Sequence, residues 1–171
     1  WLIPSPDRWD KKTYASADHR YAMVAGALSE NLLIKAVDFE MKRGEFRGSY
    51  VLLNALKKEY PDNEFRLVVG GDTYPTIPMW RDSKSFNGEN YNGHLLLKEF
   101  SLILFPRNNS EIPDNEAHTL KGYMPLHIVR SECVSSISST LVRERGKAIK
   151  ELVPEFVAAY IQRYKLFEKK S

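Results

Sequence analysis

The residues best suited to chemistry lie in Ile137-Ser-Ser-Thr-Leu-Val-Arg143. Small hydroxyl residues immediately ahead of a helix leave its first N–H groups pointing outward, and the helix dipole adds partial positive charge there. Such an end attracts a phosphate, with Ser138, Ser139 and Thr140 as added partners. Arg143, one turn further on, carries a planar fork that can hold two phosphate oxygens at once. The plainer alternative is that Ser139 or Thr140 merely caps a helix and Arg143 is solvated. A second set is Gly70-Gly71-Asp72, where glycines permit close backbone approach and a carboxylate can accept from ribose hydroxyls, although the same three residues also make an ordinary turn. Trp80 offers a stacking face or simple packing. Lys11, Lys12 and Arg107 supply cations that would serve phosphates or sit in solvent.

Elements that could position these residues follow from periodicity. Tyr21, Val24, Ala25 and Leu28 share a helical face behind a Ser16 cap, which predicts a helix from Ser16 to about Leu28. Leu33–Val37, Phe65–Val69, Phe100–Phe105 and Leu126–Val129 read as strands, and Trp1–Pro4 as a strand end. A helix opening at Gly48-Ser49 runs until Tyr60-Pro61, and two more start near Leu141 and at Pro154, the latter suited to the first helical position. Residues 84–94 read as a surface loop and 107–119 as irregular. Strands alternating with helices predict an α/β domain with a mostly parallel sheet, whose ligands lie beyond the carboxyl ends of the strands. Lys11, Lys12, Gly70 to Asp72, Arg107 and Ser138 to Arg143 all fall just after predicted strands.

The 171 residues carry 25 Lys plus Arg against 22 Asp plus Glu, too even a balance for a nucleic-acid scaffold. With 43% apolar and 27% charged residues the composition is that of a globular chain. No apolar stretch approaches the roughly 18 residues needed to cross a bilayer, so no membrane partner is expected. Cys133 is the single cysteine, and an intrachain disulfide is therefore ruled out. His94, His118 and His127 lack metal-ligand spacing. No repeat or low-complexity linker divides the chain, and residues 1–171 read as one domain.

Ile-Ser-Ser-Thr followed by an aliphatic pair and Arg, then Leu152-Val-Pro154, Val157, Tyr160-Ile161 and Leu166-Phe167, resembles the nicotinamide/nicotinate mononucleotide adenylyltransferases. The resemblance extends to Trp80, eight positions after Asp72, and to Trp9-Asp-Lys-Lys12 with His19-Arg20 and Met23. It implies a Rossmann-like nucleotidyltransferase fold and transfer of AMP from ATP to the mononucleotide, with Mg²⁺ on the phosphates and no covalent enzyme intermediate. By this resemblance Ser138, Ser139, Thr140, Arg143 and Arg107 hold ATP phosphates, Gly70 and Asp72 contact the adenosine ribose, and Lys11 contacts substrate phosphate. Lys11 and Arg143 are then the residues closest to the reaction. Trp80 stacks on the pyridine ring, and Phe46 and Ser49 stand where the family carries an aromatic and a Thr beside the mononucleotide. An intracellular setting, cytoplasmic or nuclear, is expected, and a homo-oligomer is compatible with it. Arg81 is a candidate partner for a nicotinate carboxylate.

Members of that family begin with a strand ending in Gly-x-Phe-x-Pro and a loop leading to a helical His. No such segment occurs in these 171 residues. The expectation is that Trp1 is not the native start, or that another chain supplies the strand. Two rivals remain: a phosphopantetheine-type nucleotidyltransferase, and a non-catalytic nucleotide-binding module.

Overall fold

A computed structural model describes residues 1–8, 10–82, 91–107, 113–129, 137–144 and 149–167. Trp9 and Cys133 lie outside the described residues, as do 84–90 of the expected surface loop and 108–112 of the expected irregular stretch. In chain order the elements are α1 (Ala17–Ala27), α2 (Phe39–Lys42), α3 (Ser49–Glu59), β1 (Leu67–Gly70), a 3₁₀ helix (Tyr74–Met79), α4 (Gly93–Glu99), β2 (Leu102–Phe105), α5 (Asn115–Thr119), β3 (Leu126–Ile128), α6 (Ser139–Glu144) and α7 (Glu155–Arg163). Two compact units result, one from Trp1–Phe46 with Ile137–Ser171 and one from Arg47–Ser136.

The first unit is built on α1 and α7. Ser16 caps α1 as its sequence position predicts, its hydroxyl accepting from the His19 N–H. Buried Ile149, Ala158 and Ile161 pack with half-buried Met23, Val142, Val153, Val157, Leu166 and Phe167. Gly26 lets α7 come close, because a Cβ there would lie 1.9 Å from the Phe156 ring. His19 Nδ1 meets the Tyr160 hydroxyl at 3.0 Å, tying the same two helices.

Leu33–Val37 does not form the expected strand. Only a parallel bridge between Leu2 and Ala36 is present there, held by Leu2 N–H to Lys35 O at 2.8 Å and Val37 N–H to Leu2 O at 2.9 Å. Leu33 is over 90% exposed while Ala36 and Val37, beside the bridge, are half-buried, so the β propensity of the run is used only where Leu2 pairs with it.

The second unit holds a parallel sheet in the order β1-β2-β3, with Leu67 opposite Leu102 and Leu102 opposite Leu126. Leu102 and Leu104, on one face of the middle strand, are fully buried, whereas Phe105 on the other face is 41% exposed. Leu53 and Leu56 on α3 and Leu96 and Leu97 on α4 are also buried. The 3₁₀ helix and most of α4 were not anticipated from the sequence, and α4 begins at Gly93, inside the expected 84–94 loop. Gly93 opens α4 because a Cβ there would lie 1.6 Å from the Ile77 carbonyl oxygen. Within 107–119, α5 forms where Asp114 Oδ1 accepts from the Glu116 N–H at 3.1 Å. Pro154 stands at the N-cap of α7 instead of its first helical position.

Candidate functional site

In the first unit, the segment after the Leu2 bridge, the start of α1 and the start of α6 enclose a cavity of about 570 Å³. Its polar lining includes Arg8, Lys11, Lys12, Arg20, Ser139 and Arg143, with no Asp or Glu in the lining among the described residues. Five cations around one concave space make a strongly anion-attracting field. Two are braced by carboxylates at its edge: Arg8 donates to both oxygens of Asp10, at 2.8 and 2.5 Å, and Arg20 reaches Asp7 at 3.2 Å. Arg20 also donates to the Ala15, Ser5 and Pro6 carbonyls, so its guanidinium knits the segment 5–15 to α1.

Lys11 titrates below the ordinary lysine value. Desolvation is the largest cause, the Arg8 and Arg20 charges add to it, and Asp10 opposes it. Lys11 is exposed overall, so solvent screens the effect. The Arg8 guanidinium also lies 4.1 Å from the centroid of Phe46, giving that aromatic a cationic neighbour in its own unit.

The start of α6 resolves which hydroxyl does the capping. Ser138 Oγ accepts from the Leu141 N–H at 3.2 Å, and the Ser138 carbonyl accepts from the Val142 N–H at 3.1 Å. Ser139 and Thr140 are therefore not the cap; both are exposed, and Ser139 faces the cavity. Thr140 Oγ1 accepts from Arg143 Nη2 at 2.9 Å, which fixes the guanidinium one turn into the helix.

In the second unit the carboxyl ends of β1 and β2 bring Gly70, Gly71, Asp72 and Arg107 together. The Gly71 N–H donates to the Phe105 carbonyl at 2.8 Å. The Asp72 carboxylate folds back over Gly70, where a Cβ would lie 2.5 Å from its Oδ1. Arg107 Nε stands 3.9 Å from Asp72 Oδ2. A glycine, a carboxylate and an arginine thus share one strand-end cluster, the place where parallel sheets present ligands.

Trp80 follows the 3₁₀ helix and is half-buried. Its indole N–H donates to Thr76 Oγ1 at 3.1 Å, and its carbonyl accepts from the Asn92 and Gly93 N–H groups. The next two residues are anchored as well: Arg81 bonds to the Tyr91 hydroxyl and lies over its ring, and Asp82 accepts two bonds from Arg47. Gly48, at φ +91°, leads into α3 with room for the Arg81 carbonyl, which would lie 2.8 Å from a Cβ there. Ser49 is the first residue of α3 in this same unit.

Sequence reasoning singled out Lys11, Lys12, Ser139 and Arg143 on the cavity wall, named Arg20 only as part of a motif with no site role, and missed Arg8 and Tyr14. Arg8 was detectable as the first of four Lys and Arg residues between positions 8 and 20. Among the described residues no three His, Cys, Asp or Glu side chains are grouped to hold a metal ion. No helix among them is long and apolar enough to cross a membrane.

The family model described as cytidylyltransferase-like matches residues 1–145. A protein of Flavobacterium johnsoniae named "Probable nicotinate-nucleotide adenylyltransferase" is 30% identical over 99% of this chain and 83% of its own length. A protein of the same name from Dehalococcoides mccartyi is 30% identical over 99% of this chain and 82% of its own. The fold is similar to Plasmodium falciparum nicotinic acid mononucleotide adenylyltransferase in complex with NaAD, at a TM-score of 0.77 and 23% identity, covering 98% of this chain and 81% of that one.

Proposed function

Because this chain belongs to the cytidylyltransferase-like family, we propose that it transfers AMP from ATP to nicotinate mononucleotide, releasing pyrophosphate and forming the dinucleotide of NAD biosynthesis. The observation that carries the reading is the cation-lined cavity beside Ser139 and Arg143, which suits a polyphosphate, in a chain whose relatives bear the nicotinate-nucleotide name over nearly its whole length. In the step itself, a phosphate oxygen of the mononucleotide attacks the α-phosphorus of ATP in line. A new P–O bond forms, the bond from the α-phosphorus to the bridging oxygen breaks, and pyrophosphate leaves with the electron pair. Such a reaction asks the protein for positioning and charge stabilisation, with no covalent intermediate.

In this reading Ser139, Thr140 and Arg143 hold the triphosphate, with Ser138 keeping the start of α6 in shape. Lys11, its ammonium disfavoured by desolvation and by the neighbouring arginines, is favoured by an approaching anion and contacts substrate phosphate. Gly70 and Asp72 serve the adenosine ribose and Arg107 the phosphates, while Trp80 offers its ring to the pyridine beside Ser49. Phe46 shapes the site by holding Arg8. Mg²⁺ arrives as the counter-ion of ATP, as part of the substrate. Residues 1–171 act as one adenylyltransferase domain.

The preference for the acid over the amide rests on the names of the relatives. It is tested by initial rates with saturating MgATP and each mononucleotide in turn, on the full natural chain. Faster dinucleotide formation with nicotinate mononucleotide, abolished by a chelator and restored by Mg²⁺, is the expected result. Equal rates would remove the acid preference. ATP binding without product would favour the non-catalytic module instead.

A further inference from the structure

Tyr14 is a large side chain that core packing does not explain. It is 54% exposed and lies outside the apolar cluster of its unit, yet it forms part of the wall of the cationic cavity. The Arg143 guanidinium sits 4.2 Å from its ring centroid and the Lys12 ammonium 5.2 Å from the same centroid. Two cations brought to one place repel each other, and an electron-rich ring face offsets that repulsion without introducing a carboxylate that would compete with an anionic ligand.

The contact also joins two separate stretches of chain, the segment before α1 and the short helix α6. Arg143 is thereby held twice, by Thr140 Oγ1 at its Nη2 and by the ring beneath its Cζ. A guanidinium already ordered in the ligand-free protein loses less freedom when it grips phosphate oxygens.

We propose that Tyr14 is a positioning residue for the polyphosphate: its ring gathers Arg143 and Lys12 into one preformed pair on the cavity wall. The assignment of that wall to ATP rests on the function proposed above; the gathering of two cations by one ring rests on the contacts alone. The ring, and not the hydroxyl, is what the geometry requires, so Tyr14→Phe keeps the device and Tyr14→Leu removes it.

The test uses the full natural chain and two probes. Inorganic tripolyphosphate binding, followed by calorimetry at low salt, reads the cation pair whether or not the protein turns over. Tyr14→Leu should weaken it by about fivefold, the sum of two exposed cation–ring contacts, while Tyr14→Phe stays close to wild type. In steady-state assays the KM for ATP should rise with Tyr14→Leu by a similar factor, with kcat and the KM for the mononucleotide moving far less. In an Arg143→Ala background Tyr14→Leu should add less than it does alone, because part of its partner is already gone. Tripolyphosphate affinity equal in wild type and Tyr14→Leu, or Tyr14→Phe as weak as Tyr14→Leu, would overturn the proposal. Wild type that binds no tripolyphosphate would overturn it too. Weakened tripolyphosphate binding in a protein that makes no dinucleotide would leave this inference standing and remove the functional reading.

Discussion

Replacing Glu40 by glutamine should make the protein more stable above neutral pH and leave it nearly unchanged in mild acid. Glu40 lies in α2 and is only 5% exposed. Desolvation raises its pKa from 4.5 to about 7, against a smaller pull downward from the Arg8 charge. The folded protein therefore holds a proton on this carboxyl more tightly than the unfolded chain does. Between pH 4.5 and about 7 the folded state binds more protons, and stability falls as pH rises through that window. Each pH unit is worth about 1.4 kcal/mol, so the charged carboxylate costs about 3 kcal/mol once pH exceeds 7. Glutamine keeps the shape and carries no charge, although it loses the attraction to Arg8. The expected gain is about 1–3 kcal/mol at pH 8, a rise in melting temperature of about 2–4 °C per kcal/mol at this chain length. Urea unfolding of both proteins at pH 5 and pH 8 measures it. A difference that is the same at both pH values, or a glutamine variant less stable at pH 8, would mean that Glu40 carries no buried charge penalty in the folded protein.

Arg143→Lys should keep the charge but lose the fork, raising the KM for ATP, and Arg143→Ala should lower kcat/KM for ATP by about 10- to 100-fold, the worth of one or two charge-assisted hydrogen bonds; steady-state kinetics with varied ATP decides it. His118 is 3% exposed, and its Nε2–H donates to the Met124 carbonyl at 3.0 Å, so Nδ1 accepts from the Tyr74 hydroxyl at 2.5 Å. Burial, the largest cause, pushes its pKa below 6.5. Its share of stability is present above pH 6.5 and is lost as pH falls toward the folded-state value, so an NMR titration midpoint at or above 6.5 would contradict this. Gly93→Ala should cost about 3 kcal/mol or more because the clash is with the Ile77 backbone, whereas Gly26→Ala should cost less, since the half-exposed Phe156 ring can swing aside; denaturant midpoints of the two variants compare them.

The parts of the fold that sequence made legible are those whose signal is local. The runs ending at Val69, Phe105 and Val129 are apolar enough to be strands wherever they dock, and all three contribute strands to one parallel sheet. Ser16 announces α1 because a cap acts three residues away. Leu33–Val37 shows the opposite case: its residue types suit a strand, but a strand exists only with a paired neighbour, and here only Ala36 finds one, in Leu2. The 3₁₀ helix hides behind Pro75 and Pro78, which mark turns, and α4 begins on Asn92-Gly93, read as loop because the nearness of Ile77 is a tertiary fact. At the site the same division holds. Ser139, Arg143 and the lysine pair stood out as motifs, and the structure gathers them at one cavity. That Ser138 is the cap, that Phe46 faces Arg8, and that Tyr14 bridges Lys12 and Arg143 are consequences of which segments meet, and no spacing in the chain encodes them.

The most direct test of adenylyl transfer is to supply the full natural chain with Mg²⁺, nicotinate mononucleotide and ATP labelled at the α-phosphorus. Label should appear in the dinucleotide, with unlabelled pyrophosphate released in equal amount and no label left on the protein. Label retained covalently on the protein, or hydrolysis of ATP to labelled AMP without dinucleotide, would contradict direct transfer.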